Sequence, residues 1–110
     1  MSNLVNENCL PLPKGSKPLA EDKIQALLEI IPDWSHDNTN HSISRSFKFS
    51  NYYETMAFTN AVAWIAHQQD HHPELKITYN CCHIEYSTHS ISGLSRNDFI
   101  CACKIDSLTT

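Results

Sequence analysis

The nine residues from His41 to Phe49 constrain the fold more than any other stretch of the chain. Ile43, Arg45, Phe47 and Phe49 alternate with Ser42, Ser44, Ser46 and Lys48, so an extended backbone places one set on each side of a sheet. Apart from Arg45, one set is apolar; the other is hydroxylic or charged. This pattern predicts an antiparallel sheet with one side packed and the other in water, because strands covered on both faces carry continuous apolar runs instead. The remaining elements must therefore cover a single sheet face. Arg45, the exception on the apolar side, is expected at a strand end or at a subunit contact.

Three stretches have the periodicity to provide that cover. Ile24, Leu27, Leu28 and Ile31 recur at helical spacing behind Glu21 and Asp22, whose charge suits a helix N-terminus, and Pro32 ends the run. Asn51 and Glu54 match a capping box for a second helix carrying Phe58, Ala61, Val62 and Ile65, expected to reach about Asp70 or His71. Ser95 caps a third, with Phe99, Ala102, Cys103 and Asp106 on one stripe and Ile100 and Ile105 flanking it. Between them, Trp34 opens a short strand and Asp37 to Asn40 supply turn residues. Ile77 to Tyr79 and Cys82 to Ser87 read as a hairpin around Asn80 and Cys81, with Ile84 and Tyr86 inward and His83, Glu85 and Ser87 on the wet side. The order α-β-β-α-β-β-α predicts an α+β two-layer sandwich, a four-stranded antiparallel sheet with three helices on one face.

At 110 residues the chain is long enough for one core, burying roughly two thirds of the surface its unfolded form exposes. Residues 1–17, with Pro11, Pro13 and Gly15, read as an irregular lead-in, and 18–110 as a single domain. No apolar run approaches the ~20 residues needed to cross a bilayer. Met1 to Leu10 lacks the basic cluster and long apolar core of a signal peptide, so a cytoplasmic location is expected. A formal net charge of −4, without a basic patch, argues against direct nucleic-acid binding. Cys9, Cys81, Cys82, Cys101 and Cys103 are odd in number and lack zinc-ribbon spacing, which predicts reduced thiols.

Asp70, His71, His72 and Pro73 place two imidazoles and a carboxylate where a helix must stop, since proline cannot donate to the helix and disfavours helical backbone before it. Ser87, Thr88 and His89 follow the alternating run and bring a third imidazole to a strand end. With an ordinary pKa of about 6.5, histidine exchanges protons near neutral pH without special tuning. Three such rings in one pocket would make an acid/base site. The plainer alternatives are a polar helix C-terminus favoured by the dipole and, for His67 and His71 at i, i+4, a zinc pair. HQQDHH lacks the glutamate of H-E-x-x-H and no third ligand follows at a recognisable spacing, so no metal is expected. Asp98 has a structural reason of its own, as the third residue after a Ser95 cap.

AFTNAV at Ala57 to Val62, DHHPE at Asp70 to Glu74, STHS at Ser87 to Ser90, GLSRNDF at Gly93 to Phe99 and IPDW at Ile31 to Trp34 occur in order over about Leu19 to Asp106. In this the chain resembles the pterin-4a-carbinolamine dehydratases. The resemblance implies the same α+β architecture and dehydration of a 4a-hydroxytetrahydropterin to quinonoid dihydropterin in tetrahydrobiopterin recycling, without metal or redox cofactor. It also implies roles. By matching position His71, His72 and His89 are the catalytic set, His71 and His89 as acid and base in either order and His72 positioning substrate, with Asp98 orienting an imidazole. Asp70, Ser87, Thr88, His67 and Trp34 are the substrate-binding candidates. His67 and Leu75 depart from the family, which typically has glutamate at the first position and often an aromatic at the second. Animal members also serve as dimerisation cofactors of a homeodomain transcription factor, and a related pterin of molybdenum-cofactor metabolism is a further substrate candidate.

Self-association is also expected. A strand beginning at His41 at the sheet edge would expose unpaired backbone beside Ile43, Phe47 and Phe49, none of which blunts an edge. Ile100 and Ile105 would add apolar surface beyond one face of a small sandwich. The expectation is a homodimer, or a homotetramer if, as the resemblance implies, two dimers pair through helices, with Arg45 or the third helix near a contact.

Overall fold

The computed structural model describes residues 4–109. Its elements are α1 (Glu21–Leu28), β1 (Ser35–Asp37), β2 (Ser42–Lys48), α2 (Tyr52–Gln69), β3 (Glu74–Ile77), β4 (Cys81–Tyr86) and α3 (Arg96–Asp106), with short 3-10 turns at Leu4–Asn6, His89–Ile91 and Ser107–Thr109. The strands form one sheet in the order β1-β2-β4-β3, each neighbour antiparallel. This is the expected α+β arrangement of three helices and four strands. Among the described residues, no helix is long and apolar enough to cross a membrane.

Register explains why one face is dry. Ile43 lies opposite Tyr86 and Phe47 opposite Cys82, so the inward residues of the two central strands stack in pairs. They are buried with Ile24, Leu27 and Ile31 of the first helical stretch, Phe58 and Val62 of α2, and Phe99, Ala102 and Ile105 of α3. Trp34, Phe47, Phe58 and Phe49 form a run of aromatic contacts with centroids 4.6 to 6.5 Å apart. On the opposite face Ser46 and His83 meet across the strands at 2.7 Å. Helix α2 starts as its cap predicts, Asn51 Oδ1 accepting from the Glu54 amide at 2.9 Å, although the Glu54 carboxylate reaches back to the Ser50 amide rather than to that of Asn51.

Four expectations are corrected. The strand predicted to begin at His41 is not an edge, because β2 pairs on both sides and the edges are the short β1 and β3. Ile100 and Ile105 are 2% and 0% exposed, so α3 keeps no apolar surplus beside its stripe. Arg45 stands mid-strand, its Nη1 2.7 Å from Asp106 Oδ1 and its guanidinium 4.2 Å above the Phe47 ring. An internal carboxylate thus answers the charge on the apolar side. Finally, the third strand begins at Glu74 rather than Ile77, because Pro73 leads directly into extended chain and the turn closes later, with the Thr78 amide donating to the Cys81 carbonyl at 2.9 Å.

The segment before α1 crosses α3. Leu4 is buried, Lys104 Nζ donates to the Val5 carbonyl at 2.7 Å, and Arg96 makes two bonds to the Glu7 carboxylate at 2.6 and 2.8 Å. The Asn97 side chain both donates to and accepts from the Leu10 backbone, at 2.9 and 3.1 Å.

Candidate active site

Helix α2 ends because Asp70 adopts a left-handed conformation (φ 51°) that few residues other than glycine, asparagine and aspartate tolerate. The turn lets the His71 amide bond back to the Ala66 carbonyl at 3.0 Å while its side chain reaches α3. There His71 Nε2 lies 2.6 Å from Asp98 Oδ1. Asp98 is completely buried, and its other oxygen accepts from the Ser95 amide at 2.9 Å and the Thr88 hydroxyl at 2.8 Å. One carboxylate therefore caps α3 with Oδ2 and holds an imidazole with Oδ1. Because Thr88 has spent its only proton on Asp98, its 2.8 Å contact to Ser95 Oγ is a bond donated by Ser95.

Tyr86 completes the setting of His71. Its ring lies against the imidazole with centroids 5.1 Å apart, and its hydroxyl donates to the His71 carbonyl at 3.1 Å. Burial pushes the Tyr86 phenol well up, so it keeps this proton. For His71 itself burial opposes the charged form, but the hydrogen bond and negative charge of Asp98, aided by Asp70, outweigh it and raise the imidazole above its ordinary pKa. Asp98 thus favours the charged form of the ring.

His71 stands in the wall between two cavities. One, of about 380 Å³, is lined by Cys9, Leu12, Gln69, Asp70, Thr88 and Asn97 among others. The other, of about 410 Å³, is lined by His67, Asp70, His72, Pro73 and Leu75. The two departures from the family pattern, His67 and Leu75, thus face one space. His72 is exposed there, and His67 lays its ring on Trp64 with centroids 5.3 Å apart.

The remaining candidates lie elsewhere. His89 is exposed and shares a smaller cavity of about 150 Å³ with His41, Ser87 and Gly93; Thr88 lines both this cavity and the first. Trp34 is buried near the other end of α3, where its indole N–H donates to Asp106 Oδ1 at 2.8 Å, and it lines none of these cavities. Asp98 and Asp106 are eight positions apart, about 12 Å along a helix. Among the described residues, no three His, Cys, Asp or Glu side chains gather as metal ligands would.

Several neighbours of His71 carry no signal in the sequence. Tyr86 reads only as an inward strand residue, and Cys9 reaches the site on the crossing N-terminal segment, which Gln69 at the end of α2 and Asn97 at the start of α3 hold in place. Gly93 has a clearer cause. A Cβ there would lie 2.6 Å from the Pro18 Cβ, so only glycine lets the Pro18 segment pack this closely on the residue that bridges to Thr88.

The family model described as pterin 4 alpha carbinolamine dehydratase matches residues 17–108. The chain belongs to this family. A relative from Nitrosospira multiformis is 46% identical over 108 residues, covering 98% of this chain and 94% of its own length. Another from Nitrosomonas eutropha is 48% identical, covering 96% and 93%. Both are named pterin-4-alpha-carbinolamine dehydratase as a provisional assignment. Among solved structures, one described as a transcriptional coactivator/pterin dehydratase from Brucella melitensis superposes with a TM-score of 0.81 at 29% identity, covering 86% of this chain and 100% of the other. A pterin dehydratase-like protein described as a RuBisCO assembly factor shares the fold, with a TM-score of 0.60 at 19% identity over 69% of this chain and 88% of its own.

Proposed function

We propose that this protein is a pterin-4a-carbinolamine dehydratase, a hydro-lyase that eliminates water from 4a-hydroxytetrahydrobiopterin to give quinonoid dihydropterin during tetrahydrobiopterin recycling. The reaction requires a proton on the 4a-hydroxyl, which leaves as water, and removal of a proton from the ring nitrogen as the double bond forms. Positioned imidazoles can carry both transfers. The observation that carries this reading is the His71–Asp98 pair, an imidazole held at 2.6 Å by a buried carboxylate between two open cavities. His71 and His89 are the acid and base, His72 and Asp70 bind the pterin edge, and Thr88 acts on His71 through Asp98. The test is ultraviolet-monitored turnover of freshly generated 4a-carbinolamine against its spontaneous dehydration. No acceleration by folded protein would remove the proposal, whereas acceleration only with a different pterin carbinolamine would move the substrate and keep the chemistry.

The same proposal includes a cytoplasmic homo-oligomer. Support now comes from α2 rather than from β2 or α3. Tyr53 and Trp64 are 83% and 60% exposed and eleven positions apart, about three helical turns, so they share one outward stripe. Large exposed aromatics on one helix face favour a partner surface.

A further inference from the structure

We infer that Cys9 and Cys101 form an oxidisable dithiol whose disulfide fastens the N-terminal segment to α3 beside the His71 cavity. The inference goes beyond the dehydratase reading and does not depend on it. The two sulfurs lie 3.6 Å apart although the residues are 92 positions apart in the chain. Cys9 is half-buried and lines the cavity that contains His71, so a small oxidant dissolved there meets it first. Cys101 is fully buried on α3, behind Cys9.

The approach is held from both sides of Cys9. Its own amide donates to Gln69 Oε1 at 2.7 Å, and Leu10 is clasped by the Asn97 side chain. Forming an S–S bond of about 2.05 Å needs a closure of roughly 1.5 Å. Side-chain rotation at Cys9, which sits on irregular chain rather than in a helix or strand, can supply it. The thiols are also unequal. The hydrogen bond from Cys101 draws the Cys9 thiol down despite burial, whereas its bond to Cys9 and its own burial push Cys101 up. Cys9 is the nucleophile and Cys101 the proton-bearing partner.

With a peroxide as oxidant, Cys9 thiolate attacks one peroxide oxygen, an S–O bond forms, the O–O bond breaks and the departing oxygen leaves as water with a proton. Cys101 sulfur then attacks the Cys9 sulfenic acid. The S–S bond forms, the S–O bond breaks, and the hydroxide leaves as water with the Cys101 proton. In sum two thiols and hydrogen peroxide become one disulfide and two waters, the thiols losing the two electrons that the peroxide gains. The segment so fastened includes residues outside the span matched by the family model.

The test uses the reduced full-length protein, treated with a small excess of hydrogen peroxide, alkylated and mapped by mass spectrometry. The expected result is an intramolecular Cys9–Cys101 cross-linked peptide with loss of two hydrogens. The thermal midpoint should rise, because the bridge closes most of the chain into a loop, and dithiothreitol should reverse it. Cys9→Ser should stay folded by circular dichroism and lose both the cross-link and the rise; Cys81→Ser should keep both. Over-oxidation of Cys9 without a cross-link, a bridge to another cysteine, or a bridge between two chains would each overturn the inference.

Discussion

His71 and Asp98 meet at 2.6 Å from the end of one helix and the first turn of another, 27 positions apart in sequence. The carboxylate is already fixed by Ser95 and Thr88 before it meets the ring, so its free oxygen costs little further ordering when it binds the imidazole. A ring held this way presents one orientation to whatever enters the cavities beside it.

Removal of a proton carrier should dominate the kinetics. His71→Ala and His89→Ala are each expected to lower dehydratase turnover by roughly 10²-fold or more, the usual scale for a lost acid/base group. Stopped-flow absorbance with folding checked by circular dichroism measures it. Near-normal rates in both variants would refute the assigned roles.

The raised pKa of His71 has a definite sign in stability. Because the folded protein binds this proton more tightly than the unfolded chain, the contribution is fully present below about 6.5, the unfolded value, and is lost as pH rises through the higher folded value. In Asp98→Asn the main contribution that raises the ring is gone while burial still opposes its charged form, so the imidazole should titrate lower than in the unaltered protein and this stabilisation should shrink. Proton NMR titration of the His71 ring, with thermal midpoints across pH 5 to 9, tests both halves. An unchanged titration in the variant would show that Asp98 does not set the charge of this ring.

Trp34 separates a structural from a substrate role. Trp34→Phe removes the N–H donated to Asp106 and leaves the half-buried carboxylate one partner short, which should cost about 1–3 kcal/mol in denaturant unfolding. The KM for the carbinolamine should not move, since Trp34 lines none of the cavities around the histidines. A KM raised about tenfold or more, at ~1.4 kcal/mol per tenfold, would return Trp34 to the substrate pocket.

The outward stripe of α2 predicts that Trp64→Glu shifts assembly toward the 12.5 kDa monomer. Sedimentation velocity at micromolar concentration should show dimer or tetramer for the unaltered chain and a lighter species for the variant. A monomeric unaltered chain would end the oligomer proposal.

What the sequence determined by itself is local. The alternation that turns Ile43 and Phe47 inward, the Asn51 and Ser95 caps and the inward Ile84 and Tyr86 all reappear in the structure, because helical and strand periods and end-capping bonds operate within a few residues, whereas α1 already ends at Leu28, before the Pro32 expected to stop it, and Ser42 of the expected wet face is buried. The α+β order followed from them. Tertiary structure alone decided partners. Nothing near Arg45 announces Asp106, nothing near Asp98 tells which of its oxygens will be left for His71, and β2 is interior only because β4 returns between it and β3. Ile100 and Ile105 look surplus on a helix drawn alone, yet α3 is closed in by the sheet, α2 and the crossing N-terminal segment together. Such choices rest on contacts between elements far apart in the chain, where burial and charge pairing are settled only once the layers have packed.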